Sequence, residues 1–215
     1  MRRLVVLVLL LTACGGPGIG PKITRRPESG SPAGTTTVSA PSPSRQVLGS
    51  APADLRTVDW PKAALPARFC GIDEPVRLKD GQAAATSATW GRILLLQNGV
   101  AHGDVDGDGQ DEAAVGLMCD TGGGTAASQL AFGYVVVRSV DGNLELVGEI
   151  STTTMRDDAY HVPLLAEPKF EKGVITVEER WYRPSDANCC PSGASLTKWW
   201  LRDGTLKPDP AVQVS

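Results

Sequence analysis

The residues best placed to do chemistry are Asp104-Val105-Asp106-Gly107-Asp108-Gly109-Gln110-Asp111-Glu112. Carboxylates stand at the first, third and fifth positions of this stretch. Gly109 at the sixth permits a tight bend. The carbonyl of Gln110 at the seventh and the acid of Glu112 at the ninth complete a set of oxygen donors. Calcium is a hard cation that takes about 6–8 oxygens at roughly 2.3–2.6 Å. Alternate residues of a curled loop aim their oxygens inward, so the spacing suits that ion, and so many carboxylates packed together repel one another without a cation. The reading is a structural calcium site on Asp104, Asp106, Asp108, Gln110 and Glu112. Its metal-free alternative is a hydrogen-bonded Asx/Gly hairpin.

The stretch does not complete the helix-bearing calcium loop, because Val115 stands at position twelve, where a bidentate Glu is needed. It resembles instead the calcium loop of FG-GAP and VCBS repeats, Asp-x-Asp-x-Asp-Gly-x-x-Asp with an apolar and Gly tail, here Ala113-Ala114-Val115-Gly116. The match covers about 13 residues and departs from the pattern at Glu112, where Asp is usual. It occurs once, whereas a propeller needs several blades of about 40–50 residues. The resemblance implies the loop without the propeller.

Other reactive constellations are weak. The two histidines, His102 and His161, have no partner at zinc-site spacing. No Gly-x-Ser-x-Gly elbow exists, and Gly122-Gly123-Gly124-Thr125 lacks the lysine of a phosphate loop; it reads as a flexible hairpin tip. Paired acids, Asp157-Asp158 and Glu178-Glu179, read as solvated faces rather than a glycosidase pair. No residue is assigned a catalytic role. The reading is a non-catalytic binding or structural module; a calcium-dependent hydrolase of wall or extracellular substrate is the alternative. A third is a redox protein using adjacent cysteines.

The amino terminus supplies an address. Met1-Arg2-Arg3, the apolar run Leu4 to Leu11 and Thr12-Ala13-Cys14-Gly15-Gly16 have the order of an export signal. The apolar run is about 8 residues, too short to cross a bilayer, which needs roughly 20. Leu11-Thr12-Ala13-Cys14 resembles the lipobox of bacterial lipoproteins. That resemblance implies cleavage after residue 13, acylation of Cys14, and a chain exported and lipid-anchored to the outer face of the cell membrane. Residues 14–53 are rich in Gly, Pro, Ser and Thr and nearly lack large apolar side chains, so they read as a disordered tether. A chain of that length spans roughly 35 Å.

Residues 54–215 form the remaining domain, large enough for one sizeable core. The formal charge of the whole chain is −3, and no basic stripe is interleaved with aromatics, which argues against nucleic acid as a partner. The partners expected are the membrane, through the lipid, and a cell-wall polymer or envelope protein. Of five cysteines, the four after Cys14, namely Cys70, Cys119, Cys189 and Cys190, read as two disulfides in an exported chain. Adjacent cysteines sit too close for an ordinary bridge. We therefore expect Cys189 and Cys190 each to reach one of Cys70 and Cys119; the alternative is Cys70–Cys119 beside a vicinal pair.

The elements that must position these residues are strands. Arg92 to Gln97, ended by Asn98-Gly99, and Ala113 to Met118 flank the acidic loop. Gln129 to Val137 and Leu144 to Gly148 flank Asp141-Gly142, and Ser195 to Leu201 meets Leu206 across Arg202 to Thr205; both read as hairpins. Val174 to Tyr182 is a further strand, and Ala83 to Trp90 reads as a short helix. Of the five tryptophans, Trp60, Trp90, Trp181, Trp199 and Trp200, adjacent Trp199 and Trp200 must face opposite ways on a strand, so at most one enters a one-sided core; the other reads as core filler in a second layer, with a surface contact site as the alternative. The fold class is mainly β: a single antiparallel domain with minor helix. Cys70-Gly71, the Asp-rich loop leading to Cys119, Trp181-Tyr182 and Asn188-Cys189-Cys190-Pro191-Ser192-Gly193 together resemble the LppP/LprE type of small actinobacterial lipoproteins. That resemblance implies the domain extent and the disulfides, and no activity.

Overall fold

A computed structural model describes residues 45–152, 161–187 and 190–214. The chain is mainly β, as its alternating and apolar runs predict. Its strands are β1 (Val47–Ser50), β2 (Ala64–Ala67), β3 (Ile72–Arg77), β4 (Gln82–Ser87), β5 (Gly91–Gly103), β6 (Glu112–Asp120), β7 (Gln129–Val140), β8 (Asn143–Ser151), β9 (Leu164–Leu165), β10 (Lys169–Glu171), β11 (Val174–Trp181), β12 (Gly193–Arg202), β13 (Thr205–Pro208) and β14 (Val212–Gln213). Helical structure among the described residues is confined to 3-10 turns such as Leu55–Thr57 and Trp60–Lys62. None of it is long and apolar enough to cross a membrane.

A central antiparallel sheet runs β1-β8-β7-β6-β5-β4, and a second runs β10-β11-β12-β13, with β9 on β11 and β14 on β12. A two-stranded β2-β3 ribbon makes a third layer. The central sheet is buried on both faces. Ile93, Leu95, Ala113, Val115, Leu117, Val135 and Val137 pack against Leu55, Trp60, Leu65, Ala67 and Ile72. From the opposite face, Ala101, Ala114, Tyr134, Val136 and Ile150 pack against Ile175, Val177 and Trp199 of the second sheet. This arrangement explains why Ala113 to Leu117 and Val135 to Val137 read as unbroken apolar runs: alternate residues enter different cores. Fully burying each Val or Leu contributes roughly 1.5–3 kcal/mol.

Four expectations need correction. Ala83 to Trp90 is not a helix: Gln82–Ser87 is edge strand β4, paired residue for residue with β5 from Gln82↔Leu96 to Ser87↔Gly91. Its alanines pack against the first core from alternate positions, which a helical count does not reveal. Asn98-Gly99 does not end its strand. It is a bulge inside β5, with the register shifting between Gln97 and Val100; an extra residue bends the strand without terminating it. The folded part begins before residue 54, because β1 pairs with β8 from Val47↔Glu145 to Ser50↔Asn143. The favoured disulfide pairing also fails: Cys70 bonds Cys119, with Cα atoms 6.1 Å apart. Both are fully buried, the first in the turn after β2 and the second in β6. Cys190 is disulfide-bonded elsewhere, and Cys189 lies outside the described residues.

The hairpins are where the turn chemistry places them. Asp141 and Gly142 have φ of 50° and 78°, and Asp203 and Gly204 have 52° and 74°. Paired positive φ values match the right-handed twist of flanking strands. Trp199 is buried in the second core, while Trp200 on the opposite face donates its indole N–H to Asp209 at 2.6 Å. Trp60 and Trp181 are core, but Trp90 at the β4–β5 turn is exposed.

Candidate metal centre

The acidic loop joins β5 to β6 and is fixed at its base by an apolar anchor. Val105 is fully buried in the second core, and its carbonyl accepts the Gly173 N–H at 2.7 Å. Burying Val105 leaves its neighbours Asp104 and Asp106 half-buried at the surface. Asp104 spans the bend: Oδ1 accepts the Gly107 N–H at 2.6 Å and Oδ2 the Gly109 N–H at 3.0 Å. Asp106 Oδ1 accepts from Asp108 N–H at 3.1 Å, and Asp108 Oδ1 from Gln110 N–H at 2.7 Å. Gly107 and Gly109 have φ of 81° and 90°, a region costly for residues with a Cβ.

One carboxylate oxygen from each of Asp104, Asp106 and Asp108 lies within 4.8 Å of the other two. Oxygens bound at roughly 2.3–2.6 Å to one calcium are separated by at most about 5 Å, so the trio fits that ion and donor chemistry. Three of the five expected ligands are thus brought together. Gln110 is exposed, with its N–H turned to Asp108.

Glu112 is placed differently. Only 2% exposed, it accepts the Val105 N–H on Oε2 at 2.7 Å. Burial pushes its carboxyl up to about 7; the charges of Asp106 and Asp108 add to the rise, and the N–H groups of Val105 and Asp106 oppose it. Glu112 therefore braces the base of the loop from inside.

Protein cations surround the acids. Arg138 on β7 reaches Asp106 Oδ2 with Nη1 at 3.3 Å and Glu145 Oε2 with Nη2 at 3.2 Å. Arg56 donates to Asp111 Oδ2 from Nε at 2.8 Å and also from Nη2. The Lys172 side chain lies against Gly107. Sequence reasoning did not find Arg138. Its one signal is a lone cation ending the apolar run of β7, and its partner is 32 residues away.

The remaining candidates are scattered. His102 is a half-buried residue of β5 whose imidazole is held below its usual range, first by burial and then by Arg56. His161 meets the Tyr182 ring edge-on at 4.9 Å between centroids. Glu178 and Glu179 do not share a solvated face. Glu178 pairs with Arg180 at 2.7 Å, whereas Glu179 is buried and accepts from Thr197 Oγ1 at 3.1 Å. Gly122 to Thr125 is pinned by Asp120, which accepts from Gly122 N–H and, at 2.7 Å, from Ser128 Oγ. Cys14 and Asp157-Asp158 lie outside the described residues. Compared with known protein families, curated proteins and solved structures, the chain matches none.

Proposed function

We infer that this chain is a non-catalytic cell-envelope lipoprotein whose β domain is stabilised by one calcium ion at the β5–β6 loop. The observation that carries the reading is the convergence of Asp104, Asp106 and Asp108 oxygens within 4.8 Å on a loop anchored in the core by Val105. Asp104, Asp106 and Asp108 would hold the ion, with the Gln110 carbonyl as a further donor and Glu112 behind them. The ion's contribution is charge compensation and a fixed hairpin. An affinity of about 10⁻⁴–10⁻³ M is in the range of extracellular modules.

The Cys14 lipid, where two chains anchor stably and one does not, places the domain at the outer face of the membrane. There it acts as a binding or structural module toward wall polymer or envelope protein. The LppP/LprE and lipobox resemblances support this address. The test is thermal unfolding of the full-length chain in 5 mM calcium, roughly tenfold above the affinity expected, and in EDTA. Calcium raises the melting temperature of the parent and leaves that of Asp104→Asn/Asp108→Asn unchanged. An equal shift in both proteins would show that the ion binds elsewhere. No shift in the parent would remove the calcium reading.

A further inference from the structure

A cleft of about 300 Å³ opens where the edge of the central sheet meets the edge of the second sheet, remote in sequence from the acidic loop. Its walls are Arg45 and Gln46 before β1, Arg68 after β2, Val147 on β8, and Thr205 and Leu206 on β13. Gly148 and Leu206 touch across the seam, so the two sheets close there without room for a further side chain. β1 covers the β8 edge only as far as Leu146, whose N–H donates to the Gln46 carbonyl at 2.9 Å. The cleft lies just beyond that point.

Two arginines line this cleft, one in a long ion pair with Glu145 and one bonded to the neutral amide of Gln46. The Arg45 group lies against Gly204 and stands 3.7 Å from Glu145, a carboxylate that Arg138 engages more closely at 3.2 Å. The Arg68 group donates from Nη2 to the neutral Gln46 Oε1 at 2.7 Å. The nearest acids are otherwise committed or apart. Glu149 accepts the backbone N–H groups of Arg68 and Phe69 at 3.1 and 3.3 Å, and Asp203 on the cleft wall forms no ion pair within 4.0 Å among the described residues. Each guanidinium keeps N–H donors free in a planar fork, the arrangement that recognises carboxylate and phosphate oxygens. Behind them Val147 is buried and Leu206 half-buried, which offers an apolar wall.

We propose that this cleft binds an organic phosphate, with the phosphoryl oxygens between Arg45 and Arg68 and a compact apolar group against Val147 and Leu206. The proposal is independent of the calcium reading. Calorimetry of the full-length chain with phenyl phosphate, inorganic phosphate and phenol tests it. Phenyl phosphate binds more tightly than either fragment. Arg45→Gln and Arg68→Gln each weaken it about tenfold, the usual effect of losing a hydrogen bond to a charged group, without changing the melting temperature. Both side chains are exposed, so the variants fold. Amide NMR shifts caused by phenyl phosphate centre on Gly148 and Thr205 and spare Gly107. Flotation with phosphatidylglycerol vesicles, and with phosphatidylcholine vesicles as control, separates a lipid source from a free one. Arginine-dependent flotation without phenyl phosphate binding assigns the phosphate to a headgroup. Absence of both kinds of binding, or binding that both arginine variants retain in full, overturns the proposal.

Discussion

Arg138 holds Asp106 and Glu145 at once, 3.3 Å from one carboxylate and 3.2 Å from the other, with all three side chains no more than one-fifth exposed. The guanidinium therefore ties the acidic loop to β8 across β7. It also places a fixed positive charge beside a carboxylate that the calcium reading needs as a ligand. Two cations competing for Asp106 oppose each other through their charges. Arg138→Gln therefore raises calcium affinity about fivefold or more, taking about 1 kcal/mol for one unit charge near the ion in a solvated loop. In EDTA the same variant is less stable by about 0.5–1 kcal/mol, since it loses two partly buried ion pairs. Calorimetry and denaturant unfolding measure the two effects separately. Unaltered affinity in the variant would show that Asp106 keeps Arg138 with the ion bound.

Glu112 makes stability in EDTA depend on pH. Its carboxyl is pushed up to about 7 in the folded chain, above an ordinary value of 4.5. A carboxyl whose value is raised on folding binds its proton more tightly in the native state. Its contribution is complete below pH 4.5 and is lost as pH rises through about 7. The loss is on the order of 3 kcal/mol. Glu112→Gln keeps the shape and an acceptor for the Val105 N–H but cannot ionise. Urea unfolding from pH 4 to pH 8 shows a decline in the parent, and the variant is flatter over that window. Parallel curves would mean that Glu112 ionises in the fold at no cost.

Much of this fold was legible because the relevant physics is local. Asp141-Gly142 and Asp203-Gly204 announce hairpins through positive φ, and each stands where its dipeptide predicts. The trio Asp104, Asp106 and Asp108 converges because residues two apart in a bending loop point the same way. What was not legible depends on distant neighbours. Small alternating residues in Ala83 to Ala85 suit a helix or an edge strand equally until β5 lies beside them. Glu179 resembles its neighbour Glu178 in sequence, and only the position of β12 decides that one is buried with Thr197 and the other solvated. The ion pair of Arg138 with Asp106 joins two strands whose register no local pattern states.

The Cys70–Cys119 bridge ties the turn after β2 to the middle of the central sheet, joining residues 49 positions apart in sequence. Constraining that much of the unfolded chain contributes about 2–5 kcal/mol. Cys70→Ser/Cys119→Ser therefore unfolds at a lower denaturant concentration than the parent. Peptide mapping of the unreduced parent recovers the Cys70 and Cys119 peptides joined to each other, with Cys190 in a different bridge. A peptide linking Cys119 to Cys190 would restore the pairing first expected from the sequence.

The bulge at Asn98-Gly99 makes a demand on the strand beside it. β5 bends there, and the Asn98 carbonyl and the Tyr134 ring close over Gly116 of β6, so that a Cβ at residue 116 would overlap the carbonyl oxygen. A backbone oxygen in a paired sheet cannot swing aside as a side chain does. Gly116→Ala therefore costs about 1–3 kcal/mol through overpacking, although alanine is ordinarily well tolerated in place of glycine within an extended strand. Gly109→Ala is the informative companion. Its φ of 90° is unfavourable to alanine, but the space around it is open. That substitution disturbs the acidic loop and leaves the core intact. Denaturant midpoints and calcium titrations of the two variants thus divide: Gly116→Ala lowers the midpoint and keeps calcium affinity, and Gly109→Ala weakens calcium binding with a smaller loss of stability. If Gly116→Ala unfolds at the parent's midpoint, the bulge is not where the structure places it.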